Sequence, residues 1–361
     1  MTDGKNKLDE LRLKIDLLDQ KIQSLISERV AVAGDIAKAK VAGGSTVFYR
    51  PEREAQVLRR IRERNEGPLS DEKIARLMRE IMSVSLAEEM PLTVAYLGPE
   101  GTYTQAAVLK HFGHAVTPRA VNTIAAVFES VGRGDSHYGV VPVENSSEGV
   151  VSSTLDLFLE SELSVCGEVQ VRIEHQLLGK ASGIDAVKRI YAHPQSFGQT
   201  RAWLVNNMPD AELVAVESNA RGAIRAQEDM QSACIASEFA ASLYELRTLA
   251  QNIQDDANNT TRFLILGKTA FTASGEDKTS VVVSTKNEAG ALHSLLEPLA
   301  RYNVSMTRIE SRPSRQGLWE YVFFMDLVGH SDEENVARVL ADLEKEAAYF
   351  KLLGSYPEAA L

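Results

Sequence analysis

Cysteine is nearly absent from this chain. Its two residues, Cys166 and Cys234, stand far apart and in no CxxC or zinc-ligand spacing. That argues against a disulfide framework and a zinc site, and makes a reducing cytoplasm the expected compartment. Long apolar runs are missing as well. No stretch approaches the length of a membrane span, and the opening MTDGKNKLDE is too polar for a secretory signal. Positive charge is in deficit, with 39 Lys and Arg against 50 Asp and Glu, a net of −11. A nucleic-acid surface is therefore not expected, although local basic pockets for small anions remain open. No GxxxxGK[ST] occurs, so nucleotide phosphate is not an expected ligand.

What is present is ordinary for a globular protein, with 44% hydrophobic and 25% charged residues. A length of 361 residues is enough for two or three domains, and the sequence changes style twice. Residues 1–91 read as helix throughout, with a long periodic segment over about 6–41, a turn at GGST, a helix from Pro51 and a third that Ser70 or Asp71 can cap. Residues 92–270 alternate short apolar strands with Gly-containing turns and helices, the rhythm of an open α/β sheet. Within them EVQVRIEHQLLGK (168–180) is extended without a helix, as expected of a crossing between two lobes. After the linker TASGEDK, residues 278–361 follow a βαββαβ order, a ferredoxin-like unit whose second hairpin strand reads from Leu318.

The first helix carries Leu8, Leu11, Ile15, Leu18, Ile22 and Leu25 at steps of three and four, one apolar stripe. Arg29 takes the next place in that count, and Lys40 stands further along. Eleven residues turn a helix through about 1100°, so Arg29 and Lys40 share a face about 16 Å apart. Ala33 and Ile36 lie between them, which describes a pocket floor with a cation at each end. The plain alternative is that both cations reach out to water. A buried Arg29 needs an anion, and the neighbouring Glu28 points elsewhere. Arg12 lies about 100° off the shared face, so it meets this pocket from a partner chain or not at all.

LRLKIDLLDQKIQSLISERVAVAGDIAKAK, then RPERE, then SVSLAEE resembles the all-helical chorismate mutases. The resemblance implies an intertwined helical dimer that holds the dicarboxylate chorismate between cations while it rearranges to prephenate, with no cofactor. It implies that Arg29, and Arg12 of the other subunit, bind carboxylates, that Lys40 donates to the breaking ether oxygen, and that Arg53 and Glu54 are the family's Arg-Glu pair, with Glu54 accepting from the substrate hydroxyl. Ser85 and Glu89 lie four apart on one face of the third helix, and Glu89 stands where enteric members have Gln. Glutamine donates to an ether oxygen at any pH, whereas glutamate must first be protonated. The plain alternative for Glu89 is a solvated residue near a helix end.

The second region holds four polar turns at strand ends: GPEGTYTQAA (98–107), VPVENSSEG (141–149), HPQSFGQT (193–200) and NNTTRFLIL (258–266). In the first, Gly98 and Gly101 are suited to let backbone approach a ligand, with the Thr102 and Thr104 hydroxyls beside the free N–H groups of a helix start. Singly, each turn is what Asn, Ser, Gly and Pro make anywhere. In this order they resemble prephenate dehydratase, over about 93–267. The resemblance implies a two-lobed fold like a periplasmic binding protein, with the substrate in its cleft losing CO₂ and the ring hydroxyl to give phenylpyruvate. It makes Thr261 the essential residue and Arg262 a carboxylate-binding candidate. Asn145 and Gln199 are to hydrogen-bond the substrate, Thr102 adds a hydroxyl, and Glu144 and Ser147 line the turn. His193 is the acid chemistry would pick first, but a His before Pro at a strand end is more often structural, and it ranks below Thr261.

GALHSLLEPLARYNVSMTRIESRP (290–313) resembles the ACT domain of the same enzymes. The implied ligand is phenylalanine, held between subunits by Gly290, Ala291, Leu292, Glu310, Ser311, Arg312 and Pro313, with Asn303 nearby. Gly290 at a helix start offers N–H to a carboxylate, and Glu310 offers a partner for an ammonium. The combined expectation is a bifunctional enzyme of the P-protein type, a cytoplasmic homodimer or dimer of dimers. It takes chorismate and prephenate, is inhibited by L-phenylalanine, and uses neither metal nor membrane nor nucleic acid. The alternatives are a non-catalytic phenylalanine sensor with a helical dimerisation arm, a dehydratase whose arm only dimerises, and one that prefers arogenate.

Overall fold

The computed structural model describes residues 2–44, 47–285, 288–313 and 321–359, with side chains from residue 6 onward. Ser45 and Thr46 of the GGST turn, and residues 318–320 of the strand read from Leu318, lie outside the described residues. The first helix, α1, runs Thr2–Ala42, followed by α2 (Pro51–Glu63) and α3 (Asp71–Glu89). Pro51 opens α2 where its missing N–H costs nothing. Ser70 occupies the N-cap of α3, but its side chain makes no capping hydrogen bond. The end of α1 packs on α3, and α3 on α2. The remainder of α1 stands clear of the chain, so its whole apolar stripe is about half exposed or more, up to 64% at Leu25.

The second region forms two lobes. The first contains β1 (Thr93–Leu97), α4 (Tyr103–Phe112), β2 (Thr117–Val121), α5 (Ile124–Arg133), β3 (Tyr138–Asn145), β4 (Gly149–Val150), α6 (Ser152–Glu160) and β5 (Ser164–Arg172). The second contains β6 (Gln176–Gly179), β7 (Arg189–Ala192), α7 (Pro194–Gln199), α8 (Arg201–Asn207), β8 (Glu212–Ala215), α9 (Asn219–Glu228), β9 (Ser232–Ala236), α10 (Glu238–Leu243) and β10 (Arg247–Ala250). The chain then returns through β11 (Thr260–Gly267) to the first sheet. Strand order is β2-β1-β3-β11-β5 in one lobe and β10-β6-β9-β7-β8 in the other. The chain therefore crosses between lobes at 173–175, inside the segment expected to do so, and again at 251–259.

The third region is β12 (Asp277–Ser284), α11 (Ala291–Arg301), β13 (Met306–Pro313), β14 (Tyr321–Val328), α12 (Glu334–Glu346) and β15 (Tyr349–Pro357), in sheet order β13-β14-β12-β15. One face of this sheet is covered by α11 and α12 around Val281, Val283, Leu299, Val339 and Leu343. The other face packs on the first lobe, and Val282, Phe324, Leu353 and Tyr356 share one core with Leu155, Phe158 and Val165. The approach is close enough that a Cβ on Gly354 would sit 2.3 Å from the Val165 carbonyl oxygen. Among the described residues no helix is long and apolar enough to cross a membrane.

Candidate functional site

Two clusters deserve a chemical reading. The first lies where α1 meets α3. Arg29 donates to the Ser85 hydroxyl at 2.6 Å, and Ser85 in turn donates to the Ile81 carbonyl at 2.7 Å. Lys40 stands 4.0 Å from the Glu89 carboxylate and donates to the Phe48 carbonyl at 3.1 Å. The helix arithmetic thus holds in three dimensions, with both cations facing the Ser85–Glu89 face of α3. Burial raises the Glu89 pKa, and the nearby Lys40 and Arg29 only partly pull it back. Arg12 lies 17 residues before Arg29, about 25 Å along the helix, and is 67% exposed, with Asp9 its one ion-pair partner among the described residues. Nothing in this chain lets it reach the cluster.

The pair from RPERE behaves differently. Arg53 is exposed and makes no hydrogen bond or ion pair among the described residues. Glu54 turns from the Lys40 cluster toward α3 and the α/β lobes, where it accepts from Arg79 at 3.3 Å, and Arg79 also holds the Lys110 carbonyl at 3.1 Å. Burial raises the Glu54 pKa against the opposing pull of Arg79. In the isolated chain, Glu54 is thus engaged at the boundary between regions.

The second cluster is a cleft of about 290 Å³ between the lobes, lined by Thr102, Asn145, His175, Gln199 and Thr261 among others. The N-cap residues of five helices line it: Thr102 of α4, Val151 of α6, His193 of α7, Ser218 of α9 and Ser237 of α10. Helix N-termini carry unsatisfied N–H groups and partial positive charge, so their convergence favours carboxylates. No Arg or Lys is among the described residues lining the cleft. The helix starts are therefore the positive groups the described lining offers, beside the one carboxylate Glu217.

The geometry of Asn145 is fixed by backbone. Its Oδ1 accepts from the Ser147 and Glu148 N–H groups, both at 3.0 Å, so its Nδ2 must face the other way. There it donates to Thr261 Oγ1 and Asn259 Oδ1, both at 2.8 Å. With its oxygen already accepting, Thr261 keeps its own proton free to donate into the cleft. His175, nearly fully buried, was not singled out from the sequence. Its Nε2 lies 2.8 Å from Gln199 Oε1 and its Nδ1 3.2 Å from the Tyr103 hydroxyl. Burial lowers its pKa, with the Gln199 bond acting in the other direction. The signal was its place in the one strand-like run that crosses between lobes.

Several expected residues sit elsewhere. Arg262 points to the opposite face of β11, because neighbouring strand residues alternate sides, and there it pairs with Glu168 at 2.7 Å and Asp326 at 2.6 Å. Glu144 likewise leaves the cleft and meets Arg308 at 3.1 Å. Ser147 is exposed in the turn and contributes only its N–H. His193 does line the cleft, but as the N-cap of α7, accepting from the Gln195 N–H at 3.3 Å. Of the glycines of GPEGTYT, Gly98 serves packing, since a Cβ there would lie 2.9 Å from Ala120, whereas Gly101 does line the cleft, where a Cβ would lie 2.9 Å from the Tyr244 ring of the other lobe.

In the third region, Gly290 caps α11 in the left-handed conformation, with Ala291 and Leu292 opening the helix. Asn303 has a positive φ of 54° in the turn before β13. Glu310 and Arg312 share one face of β13, Ser311 and Pro313 the other. Arg312 is not open to a ligand. It grips Asp156 at 3.0 Å and the Ser152 hydroxyl. β13 is an edge strand, and Leu292 and Ile309 are both exposed.

Family models match three successive stretches of the chain. The family model for chorismate mutase type II matches residues 11–90, that for prephenate dehydratase 94–270, and that for the ACT domain 279–345. A bifunctional chorismate mutase/prephenate dehydratase of Pseudomonas aeruginosa is 52% identical over 361 residues, with 99% of each chain covered. One from Stutzerimonas stutzeri is 51% identical with the same coverage. The crystal structure of a prephenate dehydratase from Arthrobacter aurescens in complex with L-Phe superposes with a TM-score of 0.70 at 34% identity, covering 74% of this chain and 90% of that one.

Proposed function

The chain belongs to the bifunctional chorismate mutase/prephenate dehydratase family, and from that premise we propose how its residues divide the two reactions and their control. The enzyme rearranges chorismate to prephenate and converts prephenate to phenylpyruvate. At the first site, Arg29 binds a substrate carboxylate while Lys40 and protonated Glu89 donate to the breaking ether oxygen, where negative charge grows in the transition state. Ser85 orients Arg29. Arg12 of a second copy supplies the missing cation. The support for a dimer is the half-bare apolar stripe of α1 from Leu8 to Leu25, about 26 Å of helix that stands clear of the rest of the chain. In the dimer, Arg53 and Glu54 complete the pocket only if Glu54 exchanges Arg79 for the substrate hydroxyl.

At the second site, the Asn145–Thr261 pair carries the reading. Asn145 fills the threonine oxygen's acceptor role, which leaves the Thr261 proton for the departing ring hydroxyl. The C–C bond electrons of the lost carboxylate move into the ring as that hydroxyl leaves as water. A free threonine is a poor acid, so Thr261 acts as a placed hydrogen-bond donor, and the proton consumed as water departs comes from solvent, because burial lowers the His175 pKa and raises that of Tyr103. The five helix starts hold the two carboxylates without a cation. Phenylalanine is the proposed effector, seated at Gly290, Leu292 and the β13 edge between two ACT units. The bound L-Phe of the Arthrobacter aurescens relative supports that ligand. Turnover of chorismate, prephenate and arogenate, each with and without phenylalanine, tests the assignment. A purified full-length enzyme inert toward prephenate, or indifferent to Thr261→Ala, overturns it.

A further inference from the structure

Thr261 faces Asn145 across β11 and β3, and the next pair in that register is Arg262 against Glu144. Side chains alternate along a strand, so the first pair enters the cleft and the second faces the ACT sheet. Both members of the second pair are gripped there. Arg262 donates to Glu168, to Asp326 and to the Tyr356 hydroxyl at 3.0 Å. Asp326 is held in turn by Ser280 at 2.6 Å, and Glu168 by Lys278 at 2.8 Å. Glu144 is held by Arg308 of β13, and Arg312 on the same face of β13 grips Asp156 in α6. The end of β3, the start of α6 and the start of β11 form one wall of the cleft. Each is therefore tied to β13 or β14.

The ladder between β11 and β3 is irregular directly after Arg262. Arg308 Nη2 and Arg312 Nε are buried with no hydrogen-bond partner among the described residues. The clamp is strong in charge but not fully satisfied, which leaves room for a second arrangement.

We infer that Arg262 and Glu144 are positioning residues for the dehydratase: they hold Thr261 and Asn145 from behind and make that placement depend on where β13 and β14 sit. Occupancy of the regulatory sheet is thereby read one residue away from the reacting atoms. This rests on the functional reading above and names how its control is transmitted.

The test uses the full-length enzyme. Arg308→Gln releases Glu144 without touching the cleft or the buried Arg262 network, and Asp326→Asn weakens that network while keeping its shape. For Arg308→Gln, dehydratase kcat falls several-fold with KM little changed, and the half-inhibitory phenylalanine concentration rises by about fivefold or more. Mutase turnover stays at the wild-type value, which reports that the chain is folded. Should both activities vanish together in Arg308→Gln, Glu144→Gln, on the more exposed side of the pair, is read in the same way. Variants with wild-type kcat, KM and phenylalanine response overturn the inference, as does a change confined to KM. A wild-type enzyme that ignores prephenate sinks the functional reading itself, whereas a regulated wild type with indifferent variants sinks only the clamp.

Discussion

The two clusters proposed as catalytic sites would meet a similar demand, holding a small dicarboxylate, by opposite means. The mutase cluster is built of charged side chains on long helices, Arg29 and Lys40 on α1 and Glu89 on α3, and it is open in a single chain. The dehydratase cleft has no cation among its described lining residues and is assembled from five helix N-caps and a cross-strand pair within one chain. A helical hairpin has few inward backbone N–H groups to offer, because they are spent inside the helices, so it must bind anions with side chains. An open α/β fold gathers helix starts at its strand ends and binds them with backbone. The first arrangement depends on a neighbour; the second depends on two lobes of one chain staying in register.

The largest effect expected from breaking this comparison is at Thr261. Thr261→Ala should lower dehydratase kcat by about 10²–10³, the loss seen when one preorganised donor is removed, with mutase turnover unchanged. Thr261→Ser should recover much of it, and equal loss in both activities would point to unfolding instead. Next is subunit sharing. Arg12→Ala and Arg29→Ala should each abolish mutase turnover, yet mixing and re-equilibrating the two inactive proteins should rebuild intact sites in heterodimers, roughly one site in four. Mixtures that stay dead would confine the site to a single chain.

A smaller, graded effect concerns pH. The Glu89 pKa is raised by burial, so its protonated, donating form persists above the usual carboxylate range and is lost as pH rises. Mutase kcat/KM should decline through that range, and Glu89→Gln should flatten the profile; identical profiles would discard the role of Glu89. The least effect on turnover, but a visible one on stability, belongs to His111. It is buried against Tyr49 at 3.0 Å, at the junction of the helical arm with the first lobe, and its pKa is pushed down to about 3 by burial, with Arg79 adding to the effect. A histidine with a depressed folded pKa contributes stability above its unfolded value near 6.5, lost as pH falls toward 3. Melting temperature should drop over that interval, and the drop should shrink in His111→Gln.

Much of this was legible beforehand because it rests on local rules. The phase of Arg29 and Lys40 follows from 3.6 residues per turn, and the crossing strand at 168–180 from an extended run with no helix signal. What escaped was side-chain direction. The motif resemblance makes Arg262 and Glu144 cleft residues, yet strand alternation turns them to the opposite face from Thr261 and Asn145. His175 carried no turn chemistry or motif of its own and acquired a partner set only when two lobes closed around it. Glu54 matched a motif, but Arg79, a quarter of a hundred residues later, claimed it.

The sequence by itself determined the three-part division, the helical phase that pairs Arg29 with Lys40, and the strand-end turns that bring Asn145 and Thr261 into play, since each depends on periodicity and on residues near in the chain. Only the tertiary structure decided that five helix starts and no Arg or Lys line the described cleft, and that Arg262 belongs to the ACT interface. Those outcomes turn on which face of a strand another sheet covers, and on how five helices separated in sequence converge. No local preference encodes either; the packing of one layer on the next does.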